Sequence, residues 1–429
     1  MRYANTIYML VLSLFCAAAL CEYAGAAHIL TPVEEAGKSI FFDKNLSINK
    51  NQSCATCHDP KAGWTGPDSH INMHGAAYNG SITDRVGERK PPSAAYAAAS
   101  PVLHYDRKVE QFIGGNFWDG RATGEKLGNP AADQAQGPFL NPVEQALPDA
   151  ACLVYRVCDA DYAPSFDKAF PGECEIGWAK DLEIANRCAW EKTIVLSDTQ
   201  RAEVDSIFNS IALSVAAYEA STEVNPFSSK YDYFLKGVTE LSKEERAGLD
   251  LFNNKGKCSK CHISDGMKPL FTDFTYDNLG VPRNPENPVY RSRPDFIDKG
   301  LGGYLEKLES QAEWQKLAKK NMGKHKVPTI RNIDKRPDAS FVKAYMHNGF
   351  FTTLKGVVHF YNTRDIKPVC PGPYTEQKAI AEGCWPGGEV TENVNREELG
   401  DLKLTDEEEE AIVTFMKTLS DGFIPETEK

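Results

Sequence analysis

The chain lacks a net positive charge, a low-complexity tract and, beyond about residue 20, any apolar run long enough to cross a bilayer. Lysine and arginine total 48 against 60 acidic residues, a formal charge of −12. That balance is wrong for a nucleic-acid binder and suits a basic protein partner. Without a later span of roughly 20 apolar residues, no membrane crossing is expected in the mature protein. What is present, 41% hydrophobic and 25% charged residues over 429 positions, is enough for two globular domains.

The first residues read as a secretory signal, expected over 1–26. Arg2 gives the positive end, the apolar core runs from Ile7 to Leu20, and Ala24, Gly25 and Ala26 offer a small-residue cleavage site. A membrane anchor would need a longer apolar run. Phe15 and Leu20, bulky residues before Cys16 and Cys21, argue against a lipoprotein site. Removal leaves the charge unchanged, because Arg2 and Glu22 cancel. Export to the periplasm is the expectation.

Of twelve cysteines, ten lie beyond residue 26. Four belong to two C-x-x-C-H motifs, SCATCHDP at 53–60 and KCSKCHIS at 257–264. In an oxidising compartment the other six read as three disulfides, most simply Cys152–Cys158, Cys174–Cys188 and Cys370–Cys384.

The surroundings of the two motifs repeat. TPVEEAGKSIF from Thr31 and SKEERAGLDLF from Ser242 share a hydroxyl cap, Glu three residues on, Gly at offset six and Phe at offset ten. Each predicts a capped amphipathic helix just before C-x-x-C-H. Apolar-periodic helices from Val204 and Thr405 close the two halves. The expected fold is mainly α, two tandem cytochrome c-type domains with long loop insertions: 27–223 and 224–429, joined near VNPFSSKYDYF.

In C-x-x-C-H, two thiols three apart on one helical turn reach the two vinyl groups of a haem, and the histidine faces the iron. A zinc knuckle would need further paired ligands, and a redox pair needs no histidine. Cys54, Cys57 and His58 are therefore assigned to a first haem c, and Cys258, Cys261 and His262 to a second. By chemistry alone the sixth ligands are open among His70, His74, Met73, Met267, Met346, His347, His359 and Tyr361.

FWDGR at 117–121, QAQGPFLNPVE at 134–144, VPTIRN at 327–332 and YMHNGFFTTLKGVVHFYN at 345–362, with the paired motifs, resemble the bacterial dihaem cytochrome c peroxidase and MauG family. The likeness runs from about Thr31 to Leu419. It implies that haem 1 handles peroxide, with Gln134, Pro138 and Glu144 in its distal pocket. It places Trp118 between the haems as a relay and Arg121 near a propionate. It puts Tyr361 where the peroxidase branch has a methionine ligand to haem 2, as in the MauG branch, with Met346 as rival. His74 is the rival sixth ligand for haem 1, which is expected to be open. The family's calcium is put in doubt by Lys90, which stands where an asparagine ligand is expected.

The resemblance implies an exported peroxidase that reduces hydrogen peroxide with electrons from a small cytochrome c or cupredoxin. The alternatives are a MauG-like enzyme that oxidises side chains of a partner protein, and a non-enzymatic dihaem electron carrier.

Overall fold

The computed structural model describes residues 29–426, and the expected signal segment lies outside them. The helices and both candidate sites belong to the unit that begins at Pro32. Seven helices carry the argument: α1 (Pro32–Phe42), α2 (Pro130–Leu140), α3 (Ala150–Cys158), α4 (Asp198–Ala220), α5 (Lys243–Asn253), α6 (Leu354–Thr363) and α7 (Asp406–Lys417). Strands among the described residues are short: β1 (His104–Asp106) pairs antiparallel with β2 (Gln111–Ile113), and β3 (Tyr276–Asp277) with β4 (His325–Lys326). The fold is mainly α, as expected. No helix among the described residues is long and apolar enough to cross a membrane.

Helix starts follow the capping chemistry. The Ser242 hydroxyl accepts from Glu245 N, while the Glu245 carboxylate accepts from Ser242 N. Thr405 and Glu408 do the same for α7. Ser197 and Gln200 cap α4, so the apolar periodicity from Val204 marks only the buried part of a helix that begins earlier.

The repeat is a repeat of packing. A Cβ on Gly37 of α1 would stand 1.8 Å from Ser214 O and 3.0 Å from Tyr218 Cβ on α4. A Cβ on Gly248 of α5 would stand 1.9 Å from Ala411 O and 2.8 Å from Phe415 Cβ on α7. Both crossings bring two backbones to a distance that only glycine permits. One turn further on, Phe41 packs on Tyr218 at 5.6 Å between ring centroids, and Phe252 on Phe415 at 5.2 Å. The same helix pair is used twice, and 214 and 218 on α4 correspond to 411 and 415 on α7.

Two of the three expected disulfides are wrong. The bonds are Cys152–Cys188, Cys158–Cys174 and Cys370–Cys384. Cys152 and Cys158 both lie on α3, six residues and about 9 Å apart along the axis, too far for one disulfide. The helix is instead stapled at each end to the segment that follows it, at Cys188 and at Cys174.

Candidate functional site

The first C-x-x-C-H lies on a single helical turn, Cys54–Cys57, opened by Ser53. His58 follows, its Nδ1 3.2 Å from Trp64 O. That bond needs a proton on Nδ1 and leaves the Nε2 lone pair to face a metal. Burial pushes the imidazole down to about 4, so it stays neutral. The second motif repeats this geometry: a turn at Cys258–Lys260, then His262 with Nδ1 2.8 Å from Phe271 O. Burial lowers His262 as well. The loop behind each histidine puts a bulky residue in the left-handed region, Trp64 at φ 63° and Phe271 at φ 52°.

The first motif opens into a cavity of about 1190 Å³. Gln134 and Pro138, four apart on α2, share a helix face and line it, as does Glu144 on the turn beyond. Asn141 Nδ2 donates to Glu144 Oε1 at 2.8 Å. Burial raises the Glu144 carboxyl above the usual range, against the opposing pull of Arg121 and Asn141. Arg121 also lines the cavity, paired with Asp119 at 2.8 Å and stacked on Phe117 at 3.8 Å. Gln134, Pro138, Glu144, Trp118 and Arg121 are thus gathered around one space beside Cys54, Cys57 and His58.

Tyr361, on α6, and Met346 both line the cavity of the second motif with Cys258, Cys261 and His262. Tyr361 Oη donates to Met346 Sδ at 3.9 Å, so the two rival ligands are neighbours. Burial, then the nearby Cys258 and Cys261 sulfurs, holds the phenol well above its ordinary value. Met346 has φ 66°, a strained state for a long side chain that the surrounding turn enforces.

Of the other sixth-ligand candidates only His347 lines a haem cavity among the described residues. His74, the expected rival at haem 1, is exposed and hydrogen-bonded through Nδ1 to His70 O, because it caps a short surface helix; it does not line the first cavity. Met73 and Met267 are 46% and 60% exposed. His359 is held between Glu409 and Lys367. His347 is buried in the second cavity, stacked on His325 at 3.6 Å.

Trp118, Lys90, Lys326 and Asp298 line both cavities and form the wall between them. The wall is built from the repeat. Phe117 and Met346 share positive φ, Gly120 and Gly349 likewise, and the bridges Asn116–Ala122 and Tyr345–Phe351 close equivalent turns. Trp118 and His347 are therefore equivalent, and their rings meet at 6.4 Å. Sequence reasoning missed Lys326, Arg89 and His325. Lys326 is the repeat partner of Lys90; the other two are identified only by Asp298, to which Arg89 binds at 2.6 Å and His325 lies at 3.2 Å.

The donors fit a haem c in each cavity. Cys54, Cys57, Cys258 and Cys261 are free thiols while the other six described cysteines are paired. Each pair is followed by a neutral imidazole with Nε2 available. His347 Nε2, buried in the second cavity, and Gln52 Oε1 and Gln145 Oε1, beside the first, have no hydrogen-bond partner among the described residues. Calcium fits poorly at Lys90. The amino group, pushed down to about 7 by burial, already sits on Thr65 Oγ1 and Pro91 O, and these fall short of the six or more oxygens calcium takes.

Comparison with known proteins gives the same picture. Residues 32–240 match the family model described as di-haem cytochrome c peroxidase. The chain is 33% identical over 415 residues to the methylamine utilization protein MauG of Paracoccus denitrificans, covering 94% of this chain and 93% of that one. It is 30% identical over 263 residues to the cytochrome c551 peroxidase of Pseudomonas aeruginosa, covering 60% and 57%. The structure of the diheme peroxidase BthA from Burkholderia thailandensis superposes with a TM-score of 0.69 at 26% identity, over 92% of this chain and 88% of that one. With two thiol pairs, two neutral imidazoles and one repeated helix frame to hold two covalently attached haem c groups, the chain belongs to the dihaem cytochrome c peroxidase and MauG family.

Proposed function

We propose that this protein reduces hydrogen peroxide to water at the first cavity, with electrons that enter at the second and cross the wall at Trp118. The observation that carries this reading is Glu144: a carboxyl raised by burial, held by Asn141, facing the same space as Cys54, Cys57 and His58. Bound there through Cys54, Cys57 and His58, and through Cys258, Cys261 and His262, the two haems supply the redox chemistry of O–O cleavage and electron storage. Glu144 takes the proton from one peroxide oxygen and returns it to the other. The Gln134 amide orients the peroxide, Pro138 keeps that wall apolar, and Arg121 offers a cation to a propionate. The balance is one peroxide, two electrons and two protons to two waters.

The donor we infer is a small cytochrome c or cupredoxin, basic where it meets an acidic chain, in the periplasm after removal of 1–26. Haem 1 belongs to 27–223 and haem 2 to 224–429.

A MauG-like reading, oxidation of a partner protein's side chains, is favoured by one observation. Tyr361 stands beside Met346 at the second cavity, and tyrosinate stabilises oxidised iron where methionine raises the potential. Peroxide added to the oxidised holoprotein with a reduced small cytochrome c separates the two. Rapid cytochrome oxidation supports the peroxidase; slow oxidation with a long-lived high-valent spectrum supports the MauG-like enzyme. No peroxide reactivity at all would leave a plain electron carrier.

A further inference from the structure

The repeated helix crossing fixes a correspondence that alignment of the two motifs alone does not reveal. Gly37 meets residues 214 and 218 as Gly248 meets 411 and 415, so residue 219 of α4 takes the place of residue 416 on α7. Met416 is buried and lines the second cavity. Glu219 is 6% exposed and lines the first. One half sets a thioether against its haem cavity; the other sets a carboxyl there.

The carboxyl is alone. Asn225 Nδ2 donates to the Glu219 backbone carbonyl, but no side-chain hydrogen bond or ion pair of Glu219 occurs among the described residues. Charged groups on the elements packed against α4 are engaged elsewhere. Lys38 of α1 pairs with Glu223. Asp133 of α2 accepts from Gly124 N and Leu127 N. Arg156 of α3 donates to Asn45 O and Ser47 O. Tyr96, before the turn at 97–99, donates to Asp421. Glu34 and Glu35 lie in the first turn of α1. None of the charged groups that line the same cavity, Glu144, Arg121, Asp119, Arg89, Lys90 and Lys326 among them, makes a hydrogen bond to Glu219. Burial alone pushes the Glu219 carboxyl up to about 8.

We propose that Glu219 is the proton-coupling carboxyl of the first haem chamber, binding a proton as an electron arrives there and releasing it as the electron leaves. Burial makes each added negative charge expensive, and a carboxylate with no side-chain partner is the group best placed to take up the compensating proton. One proton enters per electron, the electron coming from the one-electron donor protein by way of the second site. With each of the two electrons Glu219 takes up one of the two protons that peroxide reduction needs and gives it up to the water formed, since Glu144 only moves a proton between oxygens. Met416 cannot bind a proton, so the second site lacks this coupling. The inference rests on haem attachment at Cys54 and Cys57.

The test is a spectroelectrochemical titration of both haems in the holoprotein between pH 6 and 9, for the natural protein, Glu219→Met and Glu219→Gln. Methionine is the residue that the repeat itself accommodates at this position, and Gln keeps the shape while losing the proton. The first haem's potential is expected to fall with rising pH at least twice as steeply in the natural protein as in either variant, with the second haem's slope unchanged. Redox-difference infrared spectra should show a protonated-carboxyl band that both variants lack. Equal slopes and an unchanged band in all three proteins would overturn the proposal. A haemochrome assay finding only one haem in the natural protein would instead overturn the attachment on which it rests.

Discussion

Lys90 donates its backbone N–H to the carbonyl of His347 at 2.7 Å, and Lys326 donates its own to the carbonyl of Trp118 at 2.9 Å. The clasp is reciprocal, each half of the repeat gripping the ring-bearing turn of the other. Thr65 Oγ1 on Pro91 O and Thr272 Oγ1 on Val327 O, both at 2.6 Å, extend the correspondence. At its centre the Trp118 indole N–H donates to Lys90 O at 2.8 Å. That acceptor favours positive charge on the ring, which suits the relay role proposed for Trp118.

Replacing Trp118 with Phe keeps an apolar ring but removes the N–H and much of the polarisable surface. Electron transfer between the haems is expected to slow about tenfold, equivalent to roughly 1.4 kcal/mol of barrier. Stopped-flow absorbance of the second haem after mixing the reduced protein with peroxide measures this. Haem content and resting spectra should be unchanged, and an unaltered rate would remove Trp118 from the path.

In its proposed role Glu144 must be ionised to accept the first peroxide proton, and burial raises its pKa. Peroxide reactivity should therefore rise with pH through an inflection above the ordinary glutamate value, and be lost below it. Glu144→Gln should cost roughly 10²- to 10⁴-fold in peroxide turnover and abolish the inflection. A pH–rate profile of the first haem's reaction with peroxide shows both effects.

Much of this site is legible in the sequence because its chemistry is local. C-x-x-C-H places thiols and imidazole on one turn, and Gln134, Pro138 and Glu144 lie within a single helix and the turn after it. Elements that depend on which faces meet are not legible. Glu219 looks like any acidic residue near a helix end until Gly37 fixes its register against Met416. Cys152 and Cys158 look like a local pair until α3 holds them apart. His325 is 22 residues from His347, and only the fold stacks them.

Gly248→Ala puts a methyl 1.9 Å from Ala411 O, a backbone atom that cannot step aside without moving α7. A loss of about 1–3 kcal/mol or more is expected. Gly177, with nothing within 4 Å of its Cβ position, is the control: Gly177→Ala should stay within about 0.5 kcal/mol. Urea unfolding followed by far-UV circular dichroism compares the two variants.

Because the Lys90 amino group occupies the oxygens of Thr65 and Pro91, chelation should change nothing. Treatment with excess EDTA is expected to leave the resting spectrum and peroxide turnover as they were. A chelator-sensitive spectrum restored by calcium would mean that a cation binds despite the lysine.

The identity of the second haem's sixth ligand separates the two functional readings, and the 3.9 Å contact between Tyr361 and Met346 makes the test a paired one. Burial holds the phenol well above its ordinary value, in its neutral form. Only a strong cation on Oη would remove its proton. If Tyr361 is the ligand, Tyr361→Phe should raise the second haem's potential and change its near-infrared spectrum, because an anionic donor is lost. Met346→Leu should alter neither, since it removes only a neighbour. The reverse pattern would make methionine the ligand, turn the second haem into an ordinary electron reservoir, and remove the structural observation that favours the MauG-like reading.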